Sequence, residues 1–554
     1  MKNKIIILIS LLVFIMSITV YAKTDEPSPW AEDSINELKS YHTFKSTTFS
    51  NYQKNITRAE FIYFAVRVYE MFSGEDIKPD PSISFIDTSD IYALKGATVG
   101  ITSGIGNNQF GPDMLLTREQ FAVLMVNTLK LGNLEMYTPN NYQFVDENEF
   151  SSWAFDAIYT AKANDIISGV GQDKFKPRDN ATIEMAITIT NKILKNNNNK
   201  LWTTDKTSKI INLSPFNINE VITDLSGSTV IDNNSISYQA YGVDLNNDKI
   251  SVKTAISNEG VGTVDTLNNL AEENHALLAI NGTYFSAYQD DNYAKDPYGI
   301  LVMDGETLHT GSDRAVIGFK NGQVDIDRID TQIKGTTTGP LGSLEWYGYW
   351  INHSIPNDSL SFTIFNDYKQ ETNSLYGKNY IIEDNTITDI VENESVVIPK
   401  DGYVVNLNGL LGSTPEQVYE LFEVGNSFDF DITYTPENNQ HSFWKDIDYA
   451  TGAGPALILD GKIDIDYETE HFTEPKIYLN AAARSAIGYT SDNQLIFVTT
   501  TSTLDELAQL MLSLNCVEAM NLDGGASSGL WYDGNLIRTP GRDISNIIYI
   551  QVKN

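Results

Sequence analysis

The sequence predicts a multidomain protein, with an all-α-rich N-terminal part and an α+β, sheet-rich C-terminal part. Its 554 residues exceed what one hydrophobic core usually holds, and a 41% hydrophobic content suffices for more than one core. Residues 27–195 contain three similar units with helix-start signals. From about residue 235 onward, short alternating strands are separated by turn signals.

The first 22 residues have the pattern of a secretory signal peptide. Lys2 and Lys4 precede an apolar run over residues 5–20, and residues 20–22 (VYA) satisfy the small-residue rule for cleavage. An uncleaved anchor is the alternative interpretation. No later stretch approaches the roughly 18 apolar residues that a spanning helix needs. We therefore expect an exported protein, soluble or wall-bound, with no transmembrane anchor after signal cleavage.

Three N-terminal units repeat one helix-start signal. Thr57, Thr117 and Thr182 stand 60 and then 65 residues apart, and each is followed by a charged first turn and an apolar-periodic helix. Each Thr is therefore predicted to be a helix N-cap. The second and third units also share a loop, TSGIG at 102–106 and ISGVG at 167–171.

At these residues the chain resembles three S-layer homology modules, assigned to residues 27–75, 80–135 and 142–195. The resemblance implies a pseudo-threefold helical bundle that binds pyruvylated secondary cell-wall polysaccharide at a bacterial wall or surface. Carried over by position, Arg58 and Arg118 would contact this anionic polymer.

The three units differ in the residues that such binding needs. The third has Ile183 at the arginine position, and the first lacks the Ser-Gly-x-Gly loop. One or two binding grooves are therefore expected rather than three, and the alternative is that the arginines only brace the fold. Residues 196–234 begin with a polar, Asn-rich run and are predicted to be a linker.

The charge balance restricts the partners. The net charge is −35, from 73 acidic and 38 basic residues, which argues against nucleic acid as the main partner. Only five of the nine arginines follow residue 200, so an anionic substrate would need a local group of them. The single cysteine, Cys516, excludes an intramolecular disulfide, and its apolar neighbours predict a buried structural thiol.

The C-terminal part, residues 235–554, is predicted to be a large mixed or antiparallel sheet with helices near 266–273 and 504–514. Three apolar stretches end in Asp-Gly, at 304–305, 460–461 and 533–534, which predicts hairpin turns. Residues 244–248 alternate oxygen-bearing side chains as a calcium loop does. However, the loop has Lys249 at its sixth position and Ala255 at its twelfth, so a plain turn is favoured.

Residues 520–529 (MNLDGGASSG) are the strongest candidate for a functional site. They are predicted to be a strand end that opens into a tight loop. Asp523 supplies a carboxylate, Ser527 a hydroxyl group, and Gly524 and Gly525 allow a ligand to approach the backbone closely. The alternative is a hairpin turn whose polar side chains only satisfy the local backbone.

Five short motifs together resemble the phosphodiester glycosidase family, which includes N-acetylglucosamine-1-phosphodiester α-N-acetylglucosaminidase. They occur in family order over residues 235–554: NGTYF at 281–285, the strand at 454–455, RSAIG at 484–488, NLDGG at 521–525 and RDISN at 542–546. Ala453 and Ala526 replace glycines that are usual in the family, which bears on the substrate more than on the activity.

The resemblance implies hydrolysis of a sugar-1-phosphodiester, whose leaving group is already anionic. Arg484 is the expected phosphate ligand because a guanidinium can hold two oxygens, and Arg542 is the second candidate. Asp523 is expected to act as nucleophile, base or electrostatic stabiliser, with Asp543 as its candidate partner. A structural pairing of Arg484 with an acid is the alternative.

The remaining candidate residues would bind substrate: Asn281, Gly282, Gly524, Gly525, Ser527, Arg542 and Asn546. Asn281 as a turn former is the alternative. Arg314, which begins a strand similar to that of Arg484, is interpreted as a structural residue, and His353 is a weaker candidate acid or base. The six histidines form no HExxH motif, so zinc is not expected, whereas a calcium ion held by carboxylates stays open.

Two other classes of function stay open. One is a non-catalytic surface protein that binds the wall or carbohydrate, and the other is a glycosidase that cleaves ordinary glycosidic bonds.

Overall fold

A computed structural model describes residues 25–137, 144–289, 293–311, 314–354, 361–373, 376–409, 421–438 and 441–553. The predicted signal peptide, 1–22, and the first two residues of the third predicted module lie outside these ranges. As predicted, the chain is multidomain, and its C-terminal part is rich in sheet with some helices. Among the described residues, no helix combines the length and apolar character needed to cross a bilayer.

The described part of residues 25–198 is helical, and no strand is assigned within it. Its helices are α1 (Glu32–Lys39), α2 (Arg58–Ser73), α3 (Ile91–Thr98), α4 (Arg118–Leu131), α5 (Phe155–Ala163) and α6 (Ile183–Asn197). Thr57, Thr117 and Thr182 cap α2, α4 and α6 as predicted. In each case the hydroxyl oxygen accepts a hydrogen bond from the backbone N–H three residues later.

Each of the helices α2, α4 and α6 contacts the next unit through its N-terminus, and the last unit contacts the first. The backbone N–H of Arg58 donates to Met114 O at 2.8 Å, that of Arg118 to Asp179 O at 2.9 Å, and that of Ile183 to Lys54 O at 3.0 Å. The first unit thus contacts the second, the second contacts the third, and the third contacts the first.

Residues 196–234, interpreted from the sequence as a linker, contain several strands. A hairpin of β1 (Leu201–Thr203) and β2 (Ser208–Ile210) follows α6. Trp202 is fully buried, and its ring lies 5.3 Å from those of Tyr69 and Phe72, centroid to centroid. The hairpin therefore packs into the N-terminal core, whereas the next two strands join a C-terminal sheet.

The C-terminal part forms three sheets and contains four further helices among its described residues. The helices are α7 (Leu267–Glu273), α8 (His441–Trp444), α9 (Pro475–Tyr478) and α10 (Leu504–Ser513). The strands are β3 (Ile222–Asp224), β4 (Gly227–Ile231), β5 (Asn234–Asp244), β6 (Ile250–Ile256), β7 (Leu278–Asn281), β8 (Leu301–Met303), β9 (Glu306–His309), β10 (Arg314–Lys320), β11 (Gln323–Gly339), β12 (Gly342–Gly348), β13 (Trp350–Ile351), β14 (Ser361–Phe365), β15 (Lys378–Glu383), β16 (Thr386–Glu392), β17 (Tyr403–Asn408), β18 (Ser427–Pro436), β19 (Tyr449–Gly452), β20 (Ala456–Leu459), β21 (Lys462–Ile463), β22 (Ala482–Thr490), β23 (Gln494–Ser502), β24 (Cys516–Asn521), β25 (Leu530–Tyr532), β26 (Asn535–Arg538) and β27 (Asn546–Val552).

The largest sheet has twelve strands in the order β13-β14-β17-β15-β16-β18-β11-β10-β19-β8-β9, with β12 added beside β11. An eight-stranded sheet runs β21-β20-β24-β22-β23-β5-β3, with β4 beside β5, and a five-stranded sheet runs β26-β25-β7-β27-β6. Apart from the parallel pair β13 and β14, the pairings are antiparallel. The side-chain amide of Asn352 donates to Leu308 O at 2.9 Å, which joins the two end strands of the largest sheet.

The three predicted Asp-Gly hairpins are confirmed. Asp304, Asp460 and Asp533 have φ angles of 52°, 50° and 43°, and the glycine after each also has a positive φ. Two central residues with positive φ define the turn that matches the twist of a hairpin. The predicted burial of Cys516 is also confirmed, since its side chain is 3% exposed and burial raises the pKa of the thiol to about 12.

Candidate functional site

The loop that carries Asp523 lies where the five-stranded and eight-stranded sheets meet. It follows β24, whose last residue is Asn521. The backbone N–H of Asp523 donates to Gly282 O at 2.9 Å, and that of Leu522 donates to Ser485 O at 2.8 Å. Strand ends from both sheets therefore hold the loop, which brings together three of the five motifs found in the sequence.

Asn281 fixes this loop through its side chain. Its carboxamide oxygen accepts hydrogen bonds from the Ser485 hydroxyl at 2.7 Å and from the backbone N–H of Gly529 at 3.0 Å. Its amide nitrogen donates to the backbone carbonyl of Asp523 at 2.7 Å. Three of the four hydrogen-bonding positions of this buried side chain are thus filled by protein. The geometry gives Asn281 a positioning contact rather than a free group for substrate.

Asp523 is half-buried, and burial raises the pKa of its carboxyl group to about 7. Hydrogen bonds from Ser527 and from the Gly524 backbone, together with the positive charge of Arg542, lower the pKa and offset part of this effect. A carboxyl group that titrates near neutral pH has the property expected of a catalytic acid or base.

Tyr284 connects Asp523 to two arginines. Its hydroxyl accepts a hydrogen bond from the Asn521 amide at 2.8 Å and donates to Gly454 O at 3.2 Å. Burial raises the pKa of the phenol, the negative charge of Asp523 raises it further, and Arg484 and Arg314 lower it. Tyr284 belongs to the NGTYF motif, but no role was predicted for it from the sequence. Its position directly after Asn-Gly-Thr at the end of a strand was the signal that could have indicated a place in the site.

Arg484 is almost fully buried, with 3% of its surface exposed. Its guanidinium donates to three backbone carbonyl groups, those of Ser502 at 3.2 Å, Ile477 at 2.7 Å and Asn480 at 2.8 Å. Burial lowers its pKa. Within the described residues it makes no ion pair, so the alternative of a structural pairing with an acid is not observed there.

Arg542 and Asp543 lie on the outer side of the site. The Arg542 guanidinium donates to the Tyr288 hydroxyl at 3.1 Å and lies 4.9 Å from the centre of that ring. It is close enough to lower the pKa of Asp523. The side chain of Asp543 is exposed.

The predicted glycines are explained by close packing and by backbone conformation. A Cβ atom on Gly282 would lie 2.3 Å from Nδ2 of Asn546, and one on Gly524 would lie 2.8 Å from Ala483 O. Gly525 has a φ of +62°. Asn546 is buried, and its Oδ1 accepts a hydrogen bond from the Thr283 backbone at 2.9 Å. These four residues shape the backbone around Asp523.

Two neighbouring histidines, His309 and His353, interact electrostatically with Asp296. The segment 284–286 runs antiparallel to 296–298, which places Tyr298 on the same face as Tyr284. Asp296 forms an ion pair with the buried Lys369 at 2.9 Å. His353 and His309 are far apart in sequence, and sequence spacing did not reveal that they are neighbours.

The hydrogen bonds of these two rings assign their tautomers. His309 Nδ1 lies 2.9 Å from Gly299 O, which can only accept, so Nδ1 carries the proton and Nε2 is an acceptor. His353 Nδ1, 3.3 Å from that Nε2, is then the donor. His353 Nε2 is left as an acceptor. Burial lowers the pKa of His309 to about 3 and also lowers that of His353, so both rings are neutral at pH 7.

The predicted wall-binding arginines have different surroundings. Arg58 of the first unit lines a groove of about 880 Å³ that is formed mainly by the second unit, including Phe85, and is completed by the exposed Trp153 of the third. Its Nη2 donates to Thr102 Oγ1 at 2.8 Å, and its Nε is buried without a partner. Arg118 is 6% exposed, and its guanidinium donates to Phe175 O at 2.8 Å and Ser168 O at 2.9 Å.

Within the described ranges no group of three or more His, Cys, Asp or Glu side chains is arranged to hold a metal ion. The segment 244–248, favoured as a plain turn, connects β5 of the eight-stranded sheet to β6 of the five-stranded sheet. There the side chain of Asp244 accepts from the backbone N–H of Asn246 at 3.0 Å, as in an ordinary turn.

Comparison with known families agrees with this arrangement. Residues 376–551 match the phosphodiester glycosidase family, and residues 92–122 and 143–182 match the S-layer homology domain. The chain carries S-layer homology domains and a phosphodiester glycosidase domain. The match to the phosphodiester glycosidase domain includes Arg484, Asp523 and Asn546. Asn281 and Arg314 come from strands that precede it, although Asn281 is hydrogen-bonded to the Asp523 loop.

Similar proteins cover only parts of the chain. An amylopullulanase of Thermoanaerobacterium thermosulfurigenes is 30% identical over 193 residues, which are 32% of this chain and 10% of that protein. A surface layer protein of Brevibacillus choshinensis is 26% identical over 118 residues, 21% of this chain and 10% of that protein. The chain thus spans about a tenth of each relative.

A solved structure shares the fold. A hypothetical protein from Synechocystis is 22% identical, with a TM-score of 0.54, and the match covers 64% of this chain and 67% of that one.

Proposed function

We propose that the chain is a surface-anchored hydrolase that cleaves sugar-1-phosphodiester linkages in envelope glycans, such as N-acetylglucosamine-1-phosphodiesters. The observation that carries this proposal is the Asp523 carboxyl group, whose pKa burial raises to about 7 and which interacts electrostatically with Arg542 and with Tyr284, itself near Arg484 and Arg314. The matches to the phosphodiester glycosidase family and to the S-layer homology domain support it.

The proposed reaction breaks the bond between the anomeric carbon and the phosphate oxygen. The phosphate monoester leaves with the bonding electron pair, and water supplies the hydroxyl group of the free sugar. Because the leaving group is already an anion, it needs charge neutralisation more than it needs a proton. Asp523, in its ionised form, stabilises the positive charge that develops at the anomeric carbon or forms a bond to it.

The N-terminal units would hold this domain at the cell wall. We propose that they form a pseudo-threefold bundle, because the three helix starts contact one another in cyclic order. The Arg58 groove is the favoured polysaccharide site, since it is open and Arg58 retains a buried donor without a partner.

We also propose that the two domains divide near residues 212–215, because the apolar core that includes Trp202 ends at Ile211 and the next begins at Phe216.

A second candidate function is hydrolysis of ordinary glycosidic bonds. The raised pKa of Asp523 favours it, because a protonated carboxyl group at pH 6 to 7 can donate a proton to a poor leaving group. A substrate without phosphate separates the two candidates.

The test uses the full mature chain and N-acetylglucosamine 1-(methyl phosphate), with p-nitrophenyl N-acetylglucosaminide as the phosphate-free comparison. Free sugar and methyl phosphate are quantified, with and without calcium. Release from the diester alone supports the proposal, and release from the glycoside alone supports the second candidate. No release from either by a folded chain would favour a non-catalytic surface protein.

A further inference from the structure

Arg314, the first residue of β10, has a guanidinium group that is not committed to the protein. It makes no hydrogen bond and no ion pair to a described residue, and none of its nitrogen atoms is buried without a partner. The group lies 4.5 Å from the centre of the Phe472 ring, so an aromatic face holds it in place. The side chain is half-buried, and burial lowers its pKa.

The position of Arg314 relative to the reacting group follows from Tyr284. The Phe472 ring that holds Arg314 lies 5.8 Å from the Tyr284 ring, centroid to centroid. The phenol also interacts electrostatically with Asp523, Arg484 and Arg314. Arg314 also interacts with Tyr298, which shares a face with Tyr284 across the antiparallel segment. The free guanidinium and the Asp523 carboxyl group therefore lie around one phenol side chain.

The buried acid Glu470 makes no ion pair with Arg314. Glu470 interacts with Arg314 electrostatically, but both of its carboxylate oxygens have other partners. They accept hydrogen bonds from the backbone N–H groups of Ala315 and Ala456, each at 2.9 Å, and from Arg328 Nε at 3.0 Å. Glu470 thus takes its hydrogen bonds and its ion pair from other groups, and it shares Arg328 with Glu437 and Asp464. The N–H groups of Arg314 stay available to a ligand.

The other two arginines of the site are less suited to bind an anion. Arg484 uses its Nε and Nη2 atoms for hydrogen bonds to three backbone carbonyl groups, which hold the segment 477–480 against β23 and leave only Nη1 without a partner among the described residues. Arg542 stacks on Tyr288 and donates to its hydroxyl at the outer side of the site. Arg314, which was interpreted from the sequence as a structural residue, is half-buried, and its guanidinium has no hydrogen-bond partner among the described residues.

We propose that Arg314 binds the phosphate group of the substrate, and that Arg484 positions the strand rather than the phosphate. This inference rests on the proposed function. A planar guanidinium with free N–H groups can hold two oxygens of a phosphate, and Phe472 keeps its plane fixed. The ligand class is a phosphate ester anion, bound with its sugar toward Asp523.

Binding of methyl phosphate to the full mature chain tests the assignment without needing turnover. Titration calorimetry compares wild type with Arg314→Met and Arg314→Lys, and with Arg178→Met, which removes the same charge from an exposed site in the N-terminal part. We expect Arg314→Met to weaken binding about ten- to hundredfold and Arg314→Lys less, because charge-assisted hydrogen bonds are lost. We expect Arg178→Met to bind as wild type does.

A second variant keeps the test decisive if Arg314→Met is unstable. We expect Arg484→Lys to lower the thermal midpoint while the folded protein binds methyl phosphate within about threefold of wild type. Wild-type affinity in Arg314→Met, or a large loss in Arg484→Lys alone, would overturn the assignment while leaving the proposed function intact. Absence of phosphate binding by wild type, with release of sugar only from the glycoside, would instead overturn both.

Discussion

The side-chain amide of Asn281 donates a 2.7 Å hydrogen bond to the backbone carbonyl of Asp523, 242 residues away in the sequence. The same carboxamide accepts from Ser485 and from the Gly529 backbone. One side chain therefore ties the end of β7 to β22 and to both sides of the Asp523 loop. These hydrogen bonds hold the backbone of the loop. They therefore position Asp523 without using its carboxyl group.

Replacing Asn281 tests this positioning role. Asn281→Ala leaves the buried carbonyl of Asp523 without its donor, which costs about 1–3 kcal/mol of unfolding free energy. We expect kcat to fall at least tenfold with little change in KM, because the loop shifts while the substrate contacts remain. Urea unfolding and steady-state kinetics measure both effects. The control is Asn535→Ala, since the exposed Asn535 also donates to a backbone carbonyl, at 2.9 Å. Equal losses in both variants would contradict the role.

Local sequence signals predicted the elements that depend on local physics. The Thr57 cap and the Asp304 hairpin were predictable because each is decided within four residues. The hairpin after α6 was not predicted, because it is stabilised by a tertiary contact, the packing of Trp202 on α2. The Asn-rich run before it is typical of a linker.

The roles of the site residues were the least predictable part. Arg314 and Arg484 begin similar stretches of sequence, and only the structure shows that Arg484 meets three carbonyl groups while Arg314 meets an aromatic ring. Asn281 was expected to bind substrate, but its contacts come from Ser485 and Gly529, which no local pattern connects to it.

The raised pKa of Asp523 predicts the pH dependence of the activity. If the ionised carboxylate acts on the anomeric carbon, kcat/KM rises with pH, is half-maximal at about pH 7 and is constant above it. Arg542 lowers this pKa, so Arg542→Gln is expected to move the midpoint to higher pH. Initial rates on the phosphodiester between pH 5 and 9 measure both midpoints. A rate that falls with increasing pH through 7 would indicate that the protonated form acts instead.

The same pKa predicts a pH-dependent stability. The folded state keeps the Asp523 proton up to about pH 7, whereas the unfolded chain loses it near the ordinary aspartate pKa of 3.8, so this group's contribution to stability decreases as pH rises between those values. We expect Asp523→Asn to have a higher Tm than wild type at pH 8, by roughly 2–4 °C for each kcal/mol relieved. The difference should vanish near pH 4. A lower Tm for the variant at pH 8 would show that the carboxylate is well solvated or paired.

The two predicted wall-binding arginines should behave differently on substitution. Arg58 lines the open groove, so Arg58→Ala is expected to weaken binding to purified secondary cell-wall polysaccharide about tenfold with a small change in Tm. Arg118 is buried with its donors on backbone carbonyl groups, so Arg118→Ala is expected to lower stability by about 1–3 kcal/mol. Co-sedimentation and thermal unfolding separate the effects. Equal loss of binding in two folded variants would mean that Arg118 also contributes to polysaccharide binding.

The central claim is that Asp523 hydrolyses a sugar-1-phosphodiester, and the most direct measurement is product release by wild type and by Asp523→Asn. Both full chains are incubated with N-acetylglucosamine 1-(methyl phosphate) at pH 8, where Asp523 is ionised. Equal amounts of free sugar and methyl phosphate from wild type, with a rate at least about a hundredfold lower for the folded variant, are the predicted result. Equal rates for the two chains, or no release by wild type while the variant and wild type are both folded, would contradict the account.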